Sequence, residues 1–113
     1  MANLEQLRIL KQGSQAWEKW LDKNELEQID LSDTELSGLK LSGANLDWAD
    51  LSHADLSDAD LSGANLSHAD LSCIDLMNAN LSGANLMNTD LYNATLMNAN
   101  LSGADLTNSE LDC

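Results

Sequence analysis

The segments LSGANLDWAD (residues 41–50), LSGANLSHAD (61–70), LSGANLMNTD (81–90) and LSGADLTNSE (101–110) start twenty residues apart and share one pattern. A shorter period runs inside that long one. Leucine returns at every fifth residue, from Leu21, Leu26 and Leu31 through Leu106 and Leu111, without a miss. A helical face needs spacings of three and four, and a half-buried strand needs spacings of two. A strict period of five satisfies neither, so the chain must turn at a fixed interval. Internal repetition of this kind sets the architecture before any local propensity does.

The residues around each leucine say how the turning is done. Two positions before it stands a small residue, usually alanine, as at Ala44, Ala49, Ala54, Ala59, Ala64 and Ala69. A polar residue, mostly Asp or Asn, lies between them. Ser follows the leucine in most units, and then comes Gly, Asn, His or Asp. Cut in this register, residues 29–113 are 17 consecutive units, from IDLSD to SELDC. Two inward apolar positions separated by one outward polar position make a short strand alternation. The closing pair is turn chemistry, since Gly and Asn tolerate the positive φ of a type II turn. The twenty-residue recurrence stacks Gly43, Gly63, Gly83 and Gly103 in one column and Ser42, Ser62, Ser82 and Ser102 in the next. Four five-residue sides per coil, a square solenoid, is the reading that follows.

Tandem A(D/N)LSX units of this kind resemble the pentapeptide-repeat family. The resemblance covers residues 29–113 and implies an all-β solenoid, a right-handed quadrilateral β-helix of about four coils. Six units depart from the small residue, at Ile29, Thr34, Leu39, Ile74, Thr89 and Ser109. Three of these fall in the first three units, where a first coil that meets something bulky can accept larger inward groups. The segment EQLRILKQGSQAWEKW (5–20) is similar to the helical N-terminal extension of small cyanobacterial members. The expected organisation is a helical cap over 1–23, a transition over 24–28 that carries Leu26 without the small residue, and the repeats over 29–113.

The cap reading has its own pattern. Leu4, Leu7, Leu10, Trp17, Trp20 and Leu21 suit a helical stripe, interrupted by Gly13 and Ser14. Two short helices or one bent helix over about residues 3–22 are expected, with Ser14 as N-cap of the second part. A solenoid needs such a cover because an open coil presents unpaired backbone and bare leucines. Leu7, Leu10, Trp17 and Trp20 are the structural cap residues this reading selects. The last unit, SELDC, has no matching cap, which raises the expectation of an end-to-end homodimer through the C-terminal coil.

Composition narrows the function. The 113 residues contain no Phe and no Pro, so the core must be stacked Leu and Ala. No apolar run resembles a leader or approaches membrane-spanning length, and the expected location is the cytoplasm, without a membrane partner. Formal net charge is −14. Residues 1–28 are nearly neutral, whereas the repeats hold 14 acids and Lys40 as their one cation. Direct nucleic-acid binding is excluded on that balance. Cys73 and Cys113 share a corner column two coils apart, about 10 Å at a coil spacing of about 4.8 Å, beyond the reach of a disulfide. Cys113 could join two chains.

Candidate chemistry is sparse. His53 and Cys73 share a column with Asp33, Asn93 and Cys113, but a straight outward column cannot wrap a tetrahedral ion. A regular tube with short corners also offers no concave pocket and no desolvated carboxylate, and no Gly-rich phosphate cradle leads into a helix. A non-catalytic module with no cofactor and no metal is therefore expected, its partner an unknown protein. Two surfaces are candidates for that partner. One is the acidic column Asp30, Asp50, Asp70, Asp90 and Glu110; the other is Met77 with Met97, stacked on one face, where exposed Met is adaptable contact surface. Met87 lies on the opposite face, Tyr92 on a third, and Trp48 near the N-terminal helices.

The alternative class is DNA mimicry. Some members of the resembled family bind DNA gyrase in place of duplex DNA, and a tube of about 20 Å matches duplex of that length, which carries about 12 phosphates. Asn80, Asn85 and Asn100 thin the acids in later coils and rank this reading second. Neighbouring carboxylates of the column, about 5 Å apart, repel by roughly 0.9 kcal/mol in water and less in salt. Added NaCl is therefore expected to raise the thermal midpoint; a midpoint that falls at moderate salt contradicts the column.

Overall fold

The computed structural model describes residues 2–111. From Asp30 onward the chain coils with a period of twenty. Parallel bridges join Asp30 to Asp50, Glu35 to Asp55, Lys40 to Asp60 and Asn45 to Asn65, and the series continues to Asp90 with Glu110. Four bridged positions per coil make the four sides that the spacing predicts. Each side meets the next coil through a single bridged residue between turns, so the extended segments are shorter than named strands.

One unit, Ala59 to Gly63, shows how the backbone is satisfied. Ala59 N–H closes the preceding corner on the Leu56 carbonyl at 3.2 Å. Asp60 N–H reaches back to the Leu39 carbonyl at 2.9 Å, and Leu61 N–H reaches forward to the Asn80 carbonyl at 2.7 Å. Gly63 N–H donates to the Ser82 carbonyl at 2.9 Å. The fifth amide, of Ser62, has no coil partner and donates to Oδ1 of Asp60 at 3.0 Å. All five donors are used, as buried backbone requires. The Asp/Asn preference at the polar position is thus a backbone requirement as well as an outward polarity.

Corner residues from Asp33 to Asn108 all have φ between 57° and 72°. This is the left-handed region that position i+2 of a type II turn demands. Gly63 (φ 66°) meets it at no steric cost, and Asn, Asp and His meet it with tolerance. Trp48 (φ 64°) and Cys73 (φ 57°) are the unusual occupants.

Inside the coil, the leucines of the five-residue register from Leu31 to Leu91 are at most 2% exposed, with Ala44 to Ala84 filling the alternate inward position, and Leu39 at that inward position is half-buried. Burying each leucine contributes roughly 1.5–3 kcal/mol. The departures fit for stated reasons. Ile29 and Ile74 are buried in the same core. Thr34 and Thr89 are also buried, and each hydroxyl donates to the carbonyl three residues back, Leu31 at 2.6 Å and Leu86 at 2.9 Å. Leu96, Leu101 and Leu106 in the last coil are half-buried.

Before the coil, α1 spans Leu4–Leu10 and α2 spans Ser14–Lys23. The break between them falls where expected, but Ser14 is the first residue of α2 and not its N-cap. Gly13 holds that place at φ 106°, a value reserved for glycine, and makes no side-chain cap bond. The N-cap of α1 is Asn3, whose side chain accepts from Gln6 N–H at 3.1 Å. The leucine register also continues past its structural meaning. Leu21 belongs to α2, and Leu26 is fully exposed, so the core rungs begin at Leu31.

The helices stand where the peptides of a preceding coil would stand. Asn3 N–H donates to the Asp30 carbonyl at 2.8 Å. The Gln6 side chain, fully buried, accepts from Asp30 N–H and donates to the Gln28 carbonyl, both at 2.8 Å. Its amide thereby substitutes for a peptide unit at the edge of the first coil. The Trp17 indole N–H donates to the Asn45 carbonyl at 2.7 Å, the position a coil leucine amide fills elsewhere. Each buried backbone group left unsatisfied costs about 1–3 kcal/mol. Gln6→Leu is therefore expected to destabilise the protein by about 1–3 kcal/mol in a urea melt, since its two backbone partners are partly buried; an unchanged midpoint contradicts the pairing.

Candidate interaction surface

The bridges place Asp30, Asp50, Asp70, Asp90 and Glu110 directly in series, so the column read from the sequence exists as geometry. Its members are less free than an outward ladder suggests. Oδ1 of Asp50 accepts both the N–H and the O–H of Ser52, at 3.0 and 2.7 Å. Asp70 holds Ser72 in the same way, and Asp90 accepts from Tyr92 N–H at 3.0 Å. One oxygen each of Asp50, Asp70 and Asp90 is committed to its own corner. The same lock recurs on the other sides. Ser57 holds the Asp55 carboxyl below its ordinary value of 3.8, first through its hydroxyl and then through its amide. Ser62 does so for Asp60, Ser32 for Asp30 and Thr107 for Asp105.

Met77 and Met97 occupy the position after the leucine on one side of the coil. Met97 is 62% exposed and Met77 half-buried, and Asn78 N–H donates to the Met97 carbonyl at 2.9 Å, which ties the two coils at this point. Tyr92, 49% exposed, stands on the neighbouring side. Of the helix residues singled out, Leu10 and Trp17 are fully buried, while Leu7 and Trp20 pack half-buried against the same core. The two indoles stack with ring centroids 5.2 Å apart.

Among the described residues, no three His, Cys, Asp or Glu side chains converge in a way that could hold a metal ion. His53 and Cys73 serve as corner residues at φ 61° and 57°. Cys73 is a free thiol, and Cys113 lies outside the described residues. No described helix is long and apolar enough to cross a membrane.

Hollows lie at the junction of the coil with the helices. One, of 610 Å³, lies among Ser14, Gln15, Glu18, Lys19, Asp22 and Gly43. The other, of 390 Å³, lies between the end of α2 and the first coil, bordered by Leu21, Asn24, Ile29, Asn45 and Trp48. A repeat register describes identical coils and carries no signal for a cavity at their boundary. Trp48 borders this groove together with Leu21 and Asp22 of α2. Sequence reasoning missed that it also stacks on His68 of the next coil, with centroids 4.3 Å apart and planes 4° from parallel. His68 Nδ1 lies 3.5 Å from Oδ1 of Asp47, which accepts from the Ser67 hydroxyl at 2.7 Å. The signal was available: residues 48 and 68 are one coil apart in the same corner column.

Coil, corners and repeat register together define a pentapeptide solenoid. The family model for pentapeptide repeats matches residues 44–83 and 69–112. The chain belongs to the pentapeptide repeat family. Among solved structures it is similar to a pentapeptide repeat protein from the cyanobacterium Nostoc, at 37% identity over 79% of this chain and 76% of that one, with a TM-score of 0.65. A pentapeptide repeat protein from the thylakoid lumen of Arabidopsis thaliana is similar at 30% identity and TM-score 0.61, over 71% of this chain and 63% of that one. HetL of Nostoc, a pentapeptide repeat protein involved in heterocyst differentiation regulation, is similar at 40% identity and TM-score 0.53 over 74% of this chain. The chain spans 43% of HetL. No curated protein sequence matches the chain.

The serine locks carry a pH dependence whose sign is fixed. A carboxyl whose pKa is lowered by folding contributes stability above its unfolded value, and that contribution is lost as pH falls through the folded value. Asp30, Asp55, Asp60 and Asp105 are such groups. Their contribution is expected to hold above about pH 5 and to decline below about pH 4. Ser57→Ala should move the Asp55 titration, followed by carboxyl-carbon NMR, up towards 3.8; an unmoved titration contradicts the lock.

Proposed function

We propose that this protein is a non-catalytic interaction module whose coil presents fixed columns of side chains to a protein partner. The observation that carries the reading is the exposure of Met97 and Tyr92 on a frame whose carboxylates are committed to their own corners. Every fully buried side-chain nitrogen and oxygen among the described residues has a hydrogen-bond partner, as a structural frame requires. Met97 with Met77 forms the apolar part of the proposed contact, and the column from Asp30 to Glu110 the acidic part. The helices act in this reading as a cap, through Leu7, Leu10, Trp17 and Trp20.

Three finer proposals accompany it. The coil winds right-handed, in keeping with the strong preference of parallel crossover connections. A second copy can dock on the last coil, supported by the half-buried state of Leu96, Leu101 and Leu106; light scattering that stays monomeric at millimolar protein removes this. Cytoplasmic residence is in keeping with Cys73 as a free thiol.

Mimicry of duplex DNA towards a gyrase-type protein is the second reading, favoured by the unbroken acidic column. The two readings separate experimentally. Affinity capture from the host should recover a protein with the wild type and lose it with a Met77→Ser/Met97→Ser double variant that melts at the same temperature. Capture unaffected by the double variant overturns the Met surface. Inhibition of gyrase supercoiling at micromolar protein would promote mimicry to first place.

A further inference from the structure

We propose that the 390 Å³ groove beside Trp48 is a docking site for a basic, arginine-bearing segment of a partner protein, with a guanidinium stacked against the Trp48 indole. The proposal rests on the interaction-module reading and names the chemistry of the partner. It starts from a side chain in the wrong place. The corner column that holds Trp48 continues with His68, Asn88 and Asn108, types that accept a left-handed backbone. A tryptophan does not suit φ 64°, nor is it placed there to fill the core, since it is 63% exposed. One part of its ring system is taken by the parallel stack on His68, and the rest borders the groove.

The remaining lining supplies the complementary charge. Leu21 and Ile29 form the apolar part with the indole, and the carboxylates of Asp22, Glu25, Glu27 and Asp47 stand around them. No Lys or Arg lies among the lining residues of this groove. The larger hollow differs in this respect, because Lys19 stands there beside Glu18 and Asp22. The adjoining shallow hollow shares Asn24, Glu25 and Glu27 and adds Lys23 and the fully exposed Leu26, an apolar contact for the residue next to the arginine.

Arginine is the cation that fits this combination. Its planar guanidinium stacks on an indole, is weakly hydrated and can bind a carboxylate through two parallel hydrogen bonds. Lysine offers a compact, strongly hydrated charge without the planar face. A nucleic acid would bring phosphates against four carboxylates.

The test is an NMR titration of the full chain with the peptide acetyl-Gly-Arg-Leu-Arg-Gly-amide and its Lys counterpart. The Arg peptide is expected to shift the Trp48 indole N–H and the amides of Asp47 and Glu25 saturably, and to bind more tightly than the Lys peptide. Trp48→Asn installs a residue suited to the left-handed corner, so it should melt no lower than the wild type while binding the Arg peptide about three- to thirtyfold more weakly. Asp75→Asn, which removes a charge on another side and keeps the corner acceptor, should leave the affinity within about twofold. No saturable shift at millimolar peptide overturns the proposal. Equal weakening by Trp48→Asn and Asp75→Asn overturns it in favour of diffuse charge. A Trp48 shift on dilution of the protein without peptide overturns it in favour of a second copy as occupant. Loss of the captured host protein with Met77→Ser/Met97→Ser, when neither peptide binds, would remove the groove and leave the module reading standing.

Discussion

A square coil leaves one amide on each side with no neighbour to bond. The leucine, polar and corner amides find the adjacent coils, and the small residue closes the turn, but the N–H after the leucine points at neither. A frame stacked this closely cannot leave that donor bare at every side. The carboxyl or amide oxygen two residues earlier answers it, with the serine hydroxyl adding a second bond in many units. Asp and Asn are the side chains short enough to make this local closure. Where the polar position holds Glu35, Lys40 or Thr95, no such closure joins it to the residue two further on.

This constraint reassigns much of the acidity. Fourteen acids in the repeats look like a surface designed for an electrostatic partner. Many of them are corner locks for which Asn serves as well, as Asn80, Asn85 and Asn100 demonstrate by making the same bond to the following amide. The choice between Asp and Asn, not the presence of a polar residue, is where charge can carry information. On the side from Asp30 to Glu110 the acid is retained in every coil, although parallel bridging keeps the carboxylates close. Architecture alone does not require that retention.

Most of the frame was legible in the sequence because it is periodic. The five-residue leucine register and its twenty-residue recurrence locate every core rung from Leu31 on, every left-handed corner and the stacking of columns. Periodicity also misled at its edge. Leu26 falls in register yet projects fully into solvent, because a register reports spacing and not whether a coil exists around it. The helices were legible as an apolar stripe, but their decisive contact was not. Gln6 is a polar residue among leucines, and only the fold reveals that its amide completes the hydrogen bonding of Asp30 and Gln28. The groove beside Trp48 was illegible for the same reason: it belongs to a boundary between two kinds of structure, each of which is regular by itself.

The frame fixes three of every five positions and leaves two lenient. The small and leucine positions must fill the tube, and the polar position locks the corner wherever it is Asp or Asn. The residue after the leucine has only to lend its amide, and the corner residue has only to accept a positive φ. Tyr92 and Met97 stand at the first kind of position, His68 and Trp48 at the second. Specificity in such a solenoid is thus written where folding asks least, and neighbouring coils bring residues twenty apart into contact to form each patch. Trp48 goes further than leniency allows, since a bulky aromatic side chain opposes even the mild demand of its corner. Its stack on His68 compensates part of that opposition. A residue that strains its backbone and still leaves most of its surface to solvent adds little to this fold, and the arginine contact proposed for it would account for its presence.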